Sequence, residues 1–189
     1  MSSLFLVFGT QGAGKTTVLK GIKAAKAVSI GTEMYLAYSR RFGVRNRDEV
    51  RMKSLLTFGE MIGIRNAILK KLAGSPGTIA LDTHASVKAG DGYMAGLSLK
   101  DFEVIRGKVK AIIYIDADSS QILERRKTDK GRKREHDTIE EIDLHRSLNL
   151  MYTTLYSLYL QTPVYVVHNG NDRLTIARKR VEEIIRSMK

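Results

Sequence analysis

Short apolar runs separated by longer amphipathic stretches set the pattern of this chain. SLFLVF at residues 3–8 is almost unbroken and stops at Gly9, and similar runs recur as AVSI (27–30), TIAL (78–81), VKAIIYI (109–115) and VYVV (164–167). A strand that is apolar on both faces belongs inside a parallel sheet, where helices cover both sides. The intervening segments have the length and periodicity of helices. The pattern therefore predicts an α/β fold, a five-stranded parallel sheet flanked by helices with right-handed crossovers.

The helical segments carry sharper signals. TTVLKGIKAAK (16–26) reads as the helix that follows the first strand. The longest pattern lies in HDTIEEIDLHRSLNLMYTTLYSLYLQT, where Thr138 and Glu141 form a capping box and Leu148, Met151, Tyr152, Leu155, Leu158 and Tyr159 recur at spacings of three and four. That stripe is read as core in preference to a subunit interface, with Tyr156 off the stripe and exposed. A last helix, about 172–188, looks structural.

Composition narrows the function classes. The chain has 189 residues, 43% of them hydrophobic, enough for one domain with a real core. It has no cysteine and four scattered histidines, which argues against disulfides, thiolate metal sites and a zinc centre. No basic region precedes the first apolar run and no segment approaches a membrane span, so a soluble, cytoplasmic protein without a membrane partner is expected. The formal net charge is +12 with a pI near 9.9, a surplus that suits polyanionic partners, either nucleic acid or small phosphorylated molecules.

The stretch GTQGAGKTT decides between them. Gly9, Gly14, Lys15 and Thr16 satisfy G-x-x-x-x-G-K-[ST], with a strand before and a helix after, as a P-loop requires. Glycines let the main chain wrap phosphate oxygens with its N–H groups, so Gly9, Gly12, Ala13, Gly14, Lys15, Thr16 and Thr17 are the expected ATP-binding run. Lys15 can bridge the β- and γ-phosphates, and the Thr16 hydroxyl can ligate Mg²⁺ directly. Downstream, Glu124 to His136 holds seven basic and three acidic residues on a short polar segment. Lys127, Lys130 and Lys133 suit a solvated face, whereas Arg125, Arg126, Arg132 and Arg134 offer planar bidentate donors for a transferring phosphoryl group. On a loop of about 127–137 they would form a short lid that excludes water.

These residues also carry a family resemblance. GTQGAGKTT, VSIGTEM at 28, RDEVRMKSL at 47, LDTHASVKAGDGYMAGLS at 81 and LERRKTDKGRKREHDT at 123 follow the order and approximate spacing of the archaeal adenylate kinases. The match runs nearly end to end, and the DTH segment followed by GYMAGL is its most specific part. The resemblance implies a single nucleoside monophosphate kinase domain catalysing MgATP + AMP ⇌ 2 ADP, with an AMP-binding helical segment at about 31–74. It further implies a homotrimer with ATP, AMP and ADP as its small-molecule partners. By position, Gly31 and Thr32 resemble the segment that meets AMP, and Arg51 the arginine that grips its phosphate. Asp82 resembles the carboxylate near Mg²⁺ acting through water, and the Ala85–Leu97 loop with His84 would line the monophosphate pocket. Arg125 or Arg126 resembles the residue on the ATP adenine or phosphates, Arg132 with Arg134 the lid pair, and Asn169 the adenine-contacting loop. Gln11, Thr32 and Leu150 depart from the family pattern, the last two at positions that bear on the acceptor.

Two rival classes remain at this stage: a small P-loop kinase with another acceptor, and an ATP-dependent RNA-binding protein motivated by the +12 charge. RNA binding needs aromatic stacking platforms on a basic face, and the chain is 7% aromatic, with its tyrosines concentrated in the long helix. Nucleic acid is accordingly expected only as a secondary partner.

Overall fold

A computed structural model describes residues 2–43, 58–128 and 138–188. In chain order the described elements are β1 (Ser2–Phe8), α1 (Lys15–Leu19), β2 (Lys26–Ser29), α2 (Ile30–Phe42), α3 (Phe58–Gly74), β3 (Gly77–Asp82) and β4 (Ser86–Ala89). They continue with β5 (Gly92–Ala95), α4 (Leu99–Ile105), β6 (Val109–Asp116), α5 (Ser119–Thr128), α6 (Ile139–Leu160), β7 (Val164–His168) and α7 (Leu174–Ser187). The five apolar runs all became strands of one parallel sheet, ordered β2-β3-β1-β6-β7.

Alternation along β1 explains the two cores. Leu4, Leu6 and Phe8 pack with Leu69 of α3, Phe102 and Ile105 of α4 and Tyr156 of α6. Phe5 and Val7 point the other way, toward Val18 of α1 and Ala177, Val181, Ile184 and Ile185 of α7. Each fully buried side chain of this size contributes ~1.5–3 kcal/mol, so the central strand is anchored from both faces. The sheet order reverses at β1, with β3 on one side and β6 on the other. Loops at the carboxyl ends of such strands part there and leave a crevice.

Three expectations change. The helix expected over 16–26 is α1 alone and ends at Leu19. Gly21 and Ile22 donate to Val18 O and Leu19 O in tight turns, and Arg178 of α7 takes the Thr17 carbonyl at 2.9 Å, so α7 captures groups that a longer α1 would have used itself. The Ala85–Leu97 stretch, expected as a loop, contains the antiparallel hairpin β4–β5.

The third change concerns α6. Its buried face is Ile142, Asn149, Thr153, Tyr156 and Leu160, whereas Leu144, Met151, Leu155 and Leu158 are exposed. Tyr156, expected outside, is buried, and its hydroxyl donates to Ala85 O at 2.7 Å, with burial pushing the phenol up to about 12. Periodicity selected the more apolar face of α6. The inward face instead mixes apolar with hydrogen-bonding side chains, because it has loop backbone to hold. The capping box itself is present, with Thr138 and Glu141 bonding reciprocally.

Candidate active site

β1 ends at Phe8, and the chain turns through Gly9 and Gly14 into α1. Gly9 adopts φ +147°, and a Cβ there would collide with the Ile115 carbonyl oxygen. Gly14 caps α1 at φ +87°, where a Cβ would run into the Asn169 side-chain amide. Both positions combine a left-handed backbone with a close neighbour, which only glycine accommodates. The main chain is therefore drawn tight against β6 and the β7 end, leaving its other side to the cleft.

That cleft has a volume of about 810 Å³ and joins two differently built ends. At one end lie Gln11, Gly12, Gly14, Lys15, Thr16 and Thr17 of the P-loop, with Arg125 and Arg126 of α5. The Lys15 ammonium donates to Gly9 O at 2.7 Å. Burial pushes its pKa below the usual lysine value, opposed by the nearby Asp82 carboxylate and reinforced by Arg126. Asp82, at the last position of β3, is pushed up by burial and held down by Lys15 and by a hydrogen bond from the Thr16 hydroxyl at 3.1 Å. Arg126 is buried with Nε donating to Gln11 O at 2.9 Å, while Arg125 Nη2 donates to Asn169 O and Asn171 Oδ1, both at 3.1 Å. The Nη1 of Arg125 is buried with no partner among the described residues, a donor that a bound anion or base would satisfy.

The Thr16 hydroxyl and Asp82 carboxylate are hard oxygen donors side by side at the end of the cleft where phosphates would lie. Among the described residues no cluster of three or more acidic, histidine or cysteine side chains could hold a metal. That donor set fits Mg²⁺, which keeps waters and substrate phosphate oxygens as ligands and takes only one or two from protein.

The other end is walled by Ser29, Ile30, Gly31, Met34, Tyr35 and Tyr38 from the β2–α2 junction, Met61 and Arg65 from α3, and Asp82, Thr83, His84, Val87 and Gly96 from the β3–β5 region. Ser29 caps α2 by accepting from Thr32 N at 3.4 Å, so the Thr32 backbone serves the helix start. Arg65 is fixed by Asp101 of α4 through Nε at 2.8 Å and Nη2 at 2.5 Å. Asp101 is fully buried and also accepts from Ser98 N and Oγ, both at 2.7 Å.

Of the residues predicted from sequence, Gly12, Gly14, Lys15, Thr16, Thr17, Gly31, Asp82, His84, Arg125 and Arg126 line one cleft. Gly9, Ala13 and Asn169 stand behind it. The Asn169 amide donates to Ala13 O at 2.8 Å and its backbone N–H to Asp116 O at 2.7 Å, so its described role is to brace the P-loop. Arg51, Arg132 and Arg134, with most of the 127–137 lid and part of the 31–74 segment, lie outside the described residues.

Sequence reasoning missed two features. Arg65 is the lone arginine in the apolar helical stretch MIGIRNAIL, a signal available in the sequence. The second is a buried chain of polar groups: Asn149 Oδ1 accepts from Ser86 N at 3.0 Å and Ser86 Oγ at 2.9 Å. Asn149 Nδ2 donates to Thr10 Oγ1 at 3.2 Å, and Thr10 Oγ1 lies 3.2 Å from the Tyr114 hydroxyl. One amide on α6 thus ties the P-loop to the hairpin that borders the opposite end of the cleft.

A phosphate-wrapping loop between β1 and α1, a lysine and two arginines beside it, and a second pocket opening from the same cavity define a P-loop phosphotransferase. Residues 8–143 match the AAA domain family. The shikimate kinase of Acinetobacter baumannii in complex with shikimate shares the fold, with a TM-score of 0.61 at 15% identity over 99% of this chain and 95% of that one. The adenylate kinase of Pyrobaculum aerophilum is 32% identical over 167 residues, 86% of this chain and 83% of that protein. The adenylate kinase of Methanopyrus kandleri is 29% identical over 100% of both chains. Within the P-loop phosphotransferases, the chain belongs to the adenylate kinase family.

Proposed function

We propose that this protein catalyses the reversible reaction MgATP + AMP ⇌ 2 ADP and so balances adenine nucleotides. The observation that carries the reading is the single cleft shared by a phosphate-binding loop and a second, differently lined pocket, in a chain similar over most of its length to adenylate kinases. ATP binds at the P-loop end and AMP at the end lined by Gly31, Asp82 and His84, with Arg51 on its phosphate.

The acceptor explains why such a site needs no general base. The attacking oxygen of AMP is already ionised near neutral pH, since a phosphomonoester's second pKa is ~6. Catalysis then rests on holding donor and acceptor in line and on stabilising spread negative charge. Lys15, Arg125 and Arg126 supply fixed positive charge where that charge develops. Thr16 would hold Mg²⁺ directly and Asp82 through water, and the ion would neutralise β- and γ-phosphate oxygens. The raised Asp82 pKa matters here, because a cation beside it restores the carboxylate that burial disfavours.

Arg132 and Arg134 act as the closing lid in this reading. Replacing both with alanine should lower transfer to AMP and raise the fraction of ATP lost to water, read as the ratio of ADP formed with and without acceptor. An unchanged ratio assigns the lid elsewhere. Assembly belongs to the same proposal. Leu144, Leu148, Met151, Leu155 and Leu158 repeat at spacings of four and three along α6, and four of the five are exposed, which supports self-association into the family's homotrimer. A cytoplasmic location fits, as the described residues contain no helix long and apolar enough to cross a membrane.

The test is ADP formation from MgATP with AMP, CMP, UMP, GMP or no acceptor, with Lys15→Ala as control. AMP-selective production that also runs backward from ADP supports the proposal. Preference for another acceptor keeps the P-loop and overturns the substrate.

A further inference from the structure

The acceptor end of the cleft contains a polar group without a partner. Tyr38, one turn from Met34 and Tyr35 on α2, lines the cleft yet is only 4% exposed, and its hydroxyl is buried without a hydrogen bond among the described residues. The side chains beside it suit a flat ring: Met34 and Tyr35 from α2 and Met61 from α3, with polarizable thioethers that pack well on rings. Folding tolerates a lone buried hydroxyl poorly unless something else eventually satisfies it.

The neighbouring charge gives that hydroxyl a direction. Arg65, on the same wall, is clamped by Asp101 and acts electrostatically on Tyr38. Burial raises the phenol pKa, so the group stays neutral and keeps its proton. A positive guanidinium beside a neutral hydroxyl attracts the oxygen and turns the hydrogen away from itself. Tyr38 then offers a donor rather than an acceptor to an occupant of the pocket.

We propose that the Tyr38 hydroxyl is a specificity-determining group that donates to an unprotonated ring nitrogen of the acceptor's base, selecting a 6-aminopurine over a 6-oxopurine. Adenine N1 is a bare acceptor, whereas the corresponding nitrogen of guanine or hypoxanthine carries a hydrogen and would meet a donor head-on. This rests on the adenylate kinase reading and supplies the base contact that it lacks. The P-loop and arginines cannot supply it, because they recognise phosphate shared by all nucleotides.

The experiment compares AMP with 1-deaza-AMP, which replaces that ring nitrogen by C–H and keeps the amino group, in the wild-type protein and in Tyr38→Phe. Wild type should use 1-deaza-AMP about tenfold less efficiently in kcat/KM, through KM, the scale of one hydrogen bond lost. Tyr38→Phe should bring AMP down to the same level, remove the difference between the two acceptors, and leave the KM for ATP unchanged. Since the variant deletes an unpartnered buried hydroxyl, its Tm without ligand should be unchanged or higher, and AMP should raise Tm less than it does in wild type. Equal use of both acceptors by wild type, discrimination that persists in Tyr38→Phe, or a fall in Tm without ligand would each overturn the assignment. Absence of any AMP-dependent ADP formation by wild type would instead overturn the adenylate kinase reading on which it rests.

Discussion

The two ends of the cleft are built on opposite principles. At the P-loop end most of the polar groups described have a protein partner: Lys15 has Gly9 O, Thr16 has Asp82, Arg126 has Gln11 O, and Asn169 has Ala13 O. At the acceptor end the Arg65–Asp101 ion pair stands among methionines and tyrosines, and the Tyr38 hydroxyl has no hydrogen-bond partner among the described residues. In the proposed reading the donor end binds the triphosphate that kinases of this class share, so its geometry can be fixed before substrate arrives. The acceptor end in that reading has to tell one monophosphate from another, and there the Tyr38 hydroxyl is left for the ligand to complete. Preorganisation serves charge stabilisation, whereas unfilled hydrogen-bonding capacity serves discrimination.

This contrast can be broken from either side. The largest effect is expected from Lys15→Ala, which removes the charge nearest the transferring group. Activity should fall ~10³-fold while the folded state persists, checked by coupled assay and by circular dichroism. Near-normal turnover in a folded variant would sink the donor-end assignment. Asn149→Ala comes next, because it takes the acceptor from both the Ser86 N–H and the Ser86 hydroxyl in the interior at once. Stability should drop by about 2–4 kcal/mol in chemical denaturation, with KM rising for both nucleotides. A rise confined to one nucleotide would show that the amide serves only one end.

Asp101→Asn is the finest cut. It weakens the clamp on Arg65 and the cap on α4, and should cost about 1–2 kcal/mol of stability. KM for AMP should rise several-fold while KM for ATP holds, measured by varying each nucleotide at saturation of the other. Equal changes in both would erase the distinction between the ends.

The sequence carried the donor end far better than the acceptor end, for a physical reason. A loop that wraps phosphate needs glycines at fixed intervals and a lysine next to them, so Gly9, Gly14, Lys15 and Thr16 fall close together in the chain at a recognisable spacing. The five strands were legible for a similar reason, since burial on both faces leaves an unbroken apolar run. Tyr38, Arg65 and Asp101 come from three separate helices, and nothing local marks them as neighbours. The long helix misled because its outward face is the more apolar of the two, with Leu158 77% exposed and Tyr156 5%. The hairpin escaped because VKA and GYMA are short and sit beside glycines, which suggested a loop.

The helix α6 does two jobs on opposite faces. Inward, Asn149 and Tyr156 hold the P-loop and the backbone at Ala85; outward, Met151, Leu155 and Leu158 are exposed, on the face proposed above for self-association. A rigid rod gripped on one side transmits a push received on the other. If the proposed self-association forms through that face, catalytic output per molecule should depend on dilution. Specific activity should decline as the protein is diluted through its association range, and Leu158→Glu should show the low-concentration value at every dilution. A flat profile for the wild type would mean that assembly leaves the catalytic cleft untouched.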